Sequence, residues 1–231
     1  IFMSAFLLKF IACFTMLLCH IPFVYPQYSI PLVYIGKLSF LLFAFLISEG
    51  YVHTGNFKKY LTRLIVFGVI SQIPAYLLFV GKSFNGLYLN IFFTLALGLL
   101  GIRVYDKIKS KYVSIPVILL LAVIAELLKF DYGAFGVLMI ICFYIFKGNK
   151  LNMVLVQMLL IFGLYLKKFS YYEFSLFNLQ YILFQVLFTL CSLLLILMYN
   201  GKKGKSSGKI KLMFYFFYPV HLIILDLLKF L

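Results

Sequence analysis

Nine runs of almost unbroken apolar residues, at 3–24, 31–52, 60–81, 87–102, 113–130, 132–147, 150–167, 176–199 and 210–230, leave this chain few ways to fold. Each is bounded by Lys, Arg, Pro, Gly or Asn, and most approach the roughly 20 residues that a helix needs to cross the hydrocarbon core of a bilayer. With 65% hydrophobic and 12% charged residues, the composition lies far from the roughly 45–50% apolar and 25% charged of soluble domains. No soluble core could bury that much apolar surface. The expected fold is all-α: a polytopic transmembrane helix bundle of about nine spans (eight to ten), built as a single domain over residues 1–231, with no room for a soluble catalytic module. The first run carries Lys9 and His20 and lacks a small-residue cleavage pattern, so it reads as a retained helix and not as a cleaved leader.

Basic residues give the bundle a direction. Lys58, Lys59 and Arg63 share one break; Arg103, Lys107, Lys109 and Lys111 another; Lys147 and Lys150 a third; Lys202, Lys203, Lys205, Lys209 and Lys211 a fourth. The intervening breaks and the end of the chain hold fewer: Lys82, Lys129, Lys167, Lys168 and Lys229. The positive-inside rule then places the N-terminus in the cytoplasm and, with nine spans, the C-terminus outside. The net charge of +15 is therefore a topology signal, and nucleic acid is not an expected partner. The basic stretch YNGKKGKSSGKIK, from Tyr199 to Lys211, reads as a flexible cytoplasmic loop able to touch anionic lipid. Cys13, Cys19, Cys142 and Cys191 all lie in apolar runs without CxxC spacing, so they read as packing residues, and no metal site is expected.

Ionisable residues inside spans are costly and mark functional paths. The first run has Lys9 and His20, eleven residues apart and so about three turns along one face, with His20 near the outer end. In GKLSFLLFAFLISEGYVHT, Lys37 lies on the outer half, while Glu49 and His53, four apart, can pair near the cytoplasm. Ser71 and Gln72 precede Pro74, and Asn90 opens LNIFFTLALG; such residues also serve as interhelical hydrogen-bond glue. Glu126, Lys129 and Asp131 read as a local ion cluster at an outer helix end. In YFFYPVHLIILD, Tyr215, Tyr218 and His221 recur every three residues, with Pro219 removing a backbone donor between them. Histidine removes a proton from an attacking hydroxyl or amine near neutral pH, and a nearby cation favours a developing oxyanion. Convergence of His20, Lys37 and His221 would suit acyl transfer. No nucleophile elbow, Walker loop, HExxH or EF-hand pattern is present to support other chemistries.

The stretches LKFIACFTMLLCHI, GKLSFLLFAFLISEGYVHTGNFKKYLTRLIVFGVISQIP, LNIFFTLALGLL, AELLKFDYGAFGVL, YNGKKG and FYFFYPVHLIIL together resemble, in order, the blocks of the TraX family. That family is named for a conjugative-pilus protein that acetylates pilin, and it is similar to a wider group of transmembrane acyltransferases. The resemblance implies transfer of an acetyl group from acetyl-CoA to an amine or hydroxyl of a membrane-associated or extracytoplasmic acceptor, a peptide such as pilin or a glycan. Carried over, the family's Asp-His pair falls on Cys19 and His20, its Gly-Arg pair on Gly36 and Lys37, and its Glu-Gly on Glu49 and Gly50. Later blocks supply Gln72, Asn90, Asp131, Tyr218 and His221. Three positions depart from the family: Cys19 for the acid, Lys37 for the arginine, and Leu41 for a proline.

The expected catalytic residues are thus His20, Lys37, Glu49 and His221. Lys58, Lys59, Arg63 and Asn90 are expected to hold the donor acetyl-CoA, and the expected location is a bacterial inner membrane, with lipid and a peptide or glycan acceptor as partners. A small-solute transporter and a non-catalytic assembly partner that keeps the fold stay open as other readings.

Overall fold

The computed structural model describes residues 2–80, 88–170 and 175–229; Lys82 and the expected span ends at 81, 87 and 230 lie outside the described residues. Every apolar run is helical. The helices are α1 (Ala5–His20), α2 (Ser29–Gly36), α3 (Leu38–Val52), α4 (Phe57–Phe79), α5 (Ile91–Lys107), α6 (Lys111–Leu127), α7 (Gly133–Ile145), α8 (Lys150–Phe169), α9 (Leu176–Leu197) and α10 (Gly208–Leu228). The second run is split, α2 ending at Gly36 and α3 starting at Leu38 with Lys37 between them. Among the described residues, six segments are long and apolar enough to cross a membrane: Ala5–Phe23, Pro26–Val52, Phe57–Phe79, Lys150–Phe169, Leu176–Leu197 and Gly208–Leu228. Helices α5 and α6 have 17 residues each, the lower end of the spanning range, and α7 is apolar but has only 13. Ile73, Leu159 and Leu166 remain about two-thirds or more exposed, as side chains that face lipid would. The protein is a polytopic helical membrane protein.

Local sequence sets the helix ends. Ser4, Asn56, Asn90, Ser175 and Ser207 each accept a first-turn amide through the side chain, at the starts of α1, α4, α5, α9 and α10. Pro22 and Pro26 stand in the two short 3-10 turns that close α1 and lead into α2.

The chain forms two compact units, residues 1–46 with 158–231, and residues 47–157. In the first, the N-terminal residues lie along the start of the basic loop. Met3 N–H donates to the Met198 carbonyl, Asn200 N–H to Met3, Ala5 N–H to Lys202 and Phe6 N–H to Lys203, at 2.9 to 3.1 Å. These bonds satisfy amides that the start of α1 would otherwise leave open. The stretch read as a flexible loop is therefore pinned over residues 198–203. α1 and α10 pack side by side from that end, with Phe6 edge-on to Phe214 and Lys9 over the same ring. At the far end of α1, a side chain on Gly36 would lie 2.2 Å from Cys19 Cβ, so only glycine lets α2 settle there. Tyr34 of α2 then stacks on Phe184 and Phe188 of α9.

The second unit is held by glycine contacts and by a turn. On α5, a Cβ at Gly98 or Gly101 would come within 2.6 Å of Ile140 or 2.3 Å of Ile141 on α7. Between α6 and α7, Lys129, Tyr132 and Gly133 adopt positive φ. Leu89 and residues 129–131 exchange backbone bonds, and the Glu126 carboxylate accepts the Ala134 amide at the start of α7. Glu126 thus caps a helix, a role that the ion-cluster reading had not given it. Gly98→Val should lower stability by about 1–3 kcal/mol, the usual range for overpacking a tight interface, whereas Gly148→Ala, with nothing within 4 Å, should be neutral. Thermal unfolding of both purified variants in detergent checks the contrast.

Candidate functional site

His20 and His221, 201 residues apart in sequence, meet in the first unit. His20 Nδ1 lies 2.8 Å from His221 Nε2. The two rings are parallel within 4° with centroids 5.1 Å apart, a separation close to the N···N distance plus one ring radius on each side. The rings are therefore nearly coplanar and joined edge to edge, so the hydrogen bond lies in both ring planes.

The protons follow from one further contact. His221 Nδ1 is 2.8 Å from the Phe217 carbonyl. A carbonyl only accepts, so this nitrogen carries a hydrogen, and in a neutral ring Nε2 is left with its lone pair. His20 must then donate from Nδ1, which makes Nε2 the basic nitrogen of His20. Phe217, Tyr218 and Phe23 pack around the two rings, and His221 is only 5% exposed.

Lys37 completes the group. It sits at the break between α2 and α3, next to the glycine that contacts Cys19, the residue before His20. Among the described residues no carboxylate pairs with it. The break is held by the Ser192 hydroxyl of α9, which donates to the Leu38 carbonyl at 3.1 Å. A base, its hydrogen-bonded neighbour and a cation inside apolar helices can take a proton from a nucleophile and stabilise negative charge on a carbonyl oxygen.

The other expected site residues belong to the second unit. Glu49 and His53 do approach, at 3.9 Å, but His53 Nδ1 is closer to the Glu49 backbone carbonyl, at 2.9 Å. Gly50 admits Tyr60 from α4: a Cβ there would lie 2.6 Å from its hydroxyl. Lys58 and Lys59 are exposed on the first turn of α4, and Arg63 is half-buried one turn on. Asn90 is fully buried and committed to the chain. Its amide donates to the Gly68 carbonyl at 2.7 Å and to Gln72 Oε1 at 2.8 Å, while its oxygen accepts Phe92 N–H at 3.1 Å. Gln72 in turn donates to the Tyr88 carbonyl and accepts the Asn90 amide N–H. Asn90 is thus a helix cap welded to α4. Asn90→Ala should reduce stability by about 1–3 kcal/mol, through a lost cap and an unmet Gln72 oxygen, and thermal unfolding reads that loss.

One cluster had no counterpart in the sequence reading. Asp106, at the end of α5 past its apolar window, accepts hydroxyls from Tyr144 and Tyr51 at 2.8 Å each. Those two bonds hold its carboxyl down to about 2. Arg103, three residues earlier, had served only as a topology marker. The signal that could have found it is an arginine and an aspartate one turn apart at a helix end.

No solved structure matches the chain. A relative from Dichelobacter nodosus, named as probable fimbrial assembly protein FimC of serogroup H1, is 30% identical, with the match covering 96% of this chain and 94% of the relative. The family model described as TraX protein matches residues 4–229, nearly the whole chain. The order of sequence blocks and a match of that length agree, and the chain belongs to the TraX family.

Proposed function

We propose that this protein is an acyltransferase of a bacterial inner membrane, moving acetyl from acetyl-CoA to an amine or hydroxyl of an acceptor outside the cytoplasm. The observation that carries the reading is the in-plane His20–His221 hydrogen bond, with Lys37 next to the Gly36–Cys19 contact at the end of the same helix. The name of the relative, a fimbrial assembly protein, favours a pilin-like peptide as acceptor over a glycan.

In this mechanism His20 Nε2 takes the proton of the acceptor amine or hydroxyl as its lone pair attacks the thioester carbonyl carbon. Lys37 stabilises the oxyanion that forms. Collapse of the tetrahedral intermediate breaks the carbon–sulfur bond, and His20 returns the proton to the departing thiolate. His221 keeps Nδ1 of His20 as the donor, so the basic lone pair stays on Nε2.

Purified protein in nanodiscs, labelled acetyl-CoA and acceptor peptides test this. His20→Ala should lower transfer by about 100-fold or more, the usual contribution of a general base. Lys37→Met should lower kcat by about 100-fold, as for loss of an oxyanion donor. His221→Gln, whose side-chain oxygen can still accept from His20 Nδ1, should retain more activity than His221→Leu. Unchanged transfer by the His20 variant would sink the mechanism. Solute uptake into proteoliposomes with no acyl product would favour a transporter instead.

A further inference from the structure

A cavity of about 310 Å³ opens in the unit of residues 47–157, lined by Tyr51, Thr54, Gly55, Phe57 and Arg103. That volume falls at the small end of ligand pockets, roughly 300–1,000 Å³. It exceeds what a simple inorganic anion needs. Arg103 is fixed on its wall: the guanidinium carbon lies 5.2 Å from the Phe57 ring centroid, with Tyr51 lining the same cavity.

The neighbouring acid does not cancel this cation. Asp106 accepts the Tyr51 and Tyr144 hydroxyls and pairs with Lys107 at 3.2 Å. Among the described residues no carboxylate pairs with Arg103. A guanidinium has five N–H donors in a planar fork, so its cation-π contact with Phe57 leaves donors for a ligand. The rim is also electropositive. Phe57 opens α4, so helix-start amides lie at this edge, and exposed Lys58 and Lys59 follow it. A side chain added at Gly55 would meet nothing within 4 Å, so a ligand can approach the backbone there. An aromatic face, a planar cation and backbone access in one concavity suit a phosphate joined to a flat heterocycle.

We infer that this cavity binds the phosphate-bearing end of a nucleotide-type ligand, with Arg103 gripping phosphate and Phe57 as the aromatic wall. On the acyl-transfer reading, that ligand is the nucleotide portion of the thioester donor. Arg103, Tyr51 and Phe57 then hold the donor.

The probe is adenosine 3′,5′-bisphosphate, titrated against the full chain in nanodiscs of neutral lipid. Arg103→Gln should weaken binding by about tenfold or more, as loss of a bidentate phosphate contact does. Gly55→Leu, which projects into open space, should weaken it similarly with unchanged thermal unfolding. Wild-type affinity in both variants overturns the inference. So does equal affinity for inorganic phosphate, or displacement of the probe by phosphatidylglycerol added to the disc, which would make a lipid headgroup the occupant. The His20→Ala variant separates this site from the transfer reading. Arg103-dependent binding in a protein that transfers no acetyl keeps the cavity and removes the acyltransferase. His20-dependent transfer with an unaltered donor KM in Arg103→Gln does the reverse.

Discussion

Hydrocarbon offers no partner to a donor or acceptor, and an unmet polar group there costs several kcal/mol. Most polar side chains placed within the apolar runs of this protein can be understood as answers to that constraint. Thr15 and Thr189 return their hydroxyls to carbonyls on the preceding turn. Gln157 donates to the Met139 carbonyl, although its own oxygen has no partner among the described residues, and Asn90 donates to Gln72 while capping the start of α5. The histidine pair obeys the same rule. The proton on His221 goes to a backbone carbonyl, that on His20 Nδ1 goes to His221, and a definite lone pair follows from the need to satisfy the others.

Helices were legible in the sequence because hydropathy reports burial in lipid residue by residue. All nine runs fold as helices, although the run at 31–52, read as one span, is split at Gly36 and Lys37. Pairings between distant runs were not legible in the same way. Nothing local to CHIP or YPVH states that two rings separated by 201 residues will share a plane. The resemblance marked both histidines as important without saying that they touch. Asn90 shows the opposite ambiguity: a polar residue at the head of a span looks like a ligand and like a cap, and its three bonds show the cap. Arg103 was hidden because a basic residue at a helix end is already explained by topology.

Glycine carries much of the geometry that the apolar pattern leaves open. With lipid on the outside, helices gain little hydrophobic advantage from each other, so close approach and dispersion contacts decide which faces meet. Gly36 against Cys19 and Gly98 and Gly101 against α7 are positions where a single methyl group would collide. The first of these bears directly on the proposed chemistry. It seats the end of α2 against the end of α1, and Lys37 is the next residue along.

That placement gives the departures from the family pattern a physical sense. A carboxylate before His20 would fix its tautomer, but it would also bury an anion and neutralise the nearby cation. Here residue 19 is a cysteine packed on Gly36, and the second nitrogen of His20 is held by a neutral imidazole that is itself anchored to a carbonyl. Tautomer control survives without a buried negative charge, which is the costlier group in a low-dielectric setting. Lys37 has no carboxylate to pair with among the described residues, which on the acyl-transfer reading leaves its ammonium group to an oxyanion. An ammonium cannot grip two oxygens as a guanidinium does, yet stabilising one carbonyl oxygen requires only a point charge. On the acyl-transfer reading the two replacements are therefore coupled: removing the acid removes the partner that an arginine would have held, and a lysine suffices for what remains.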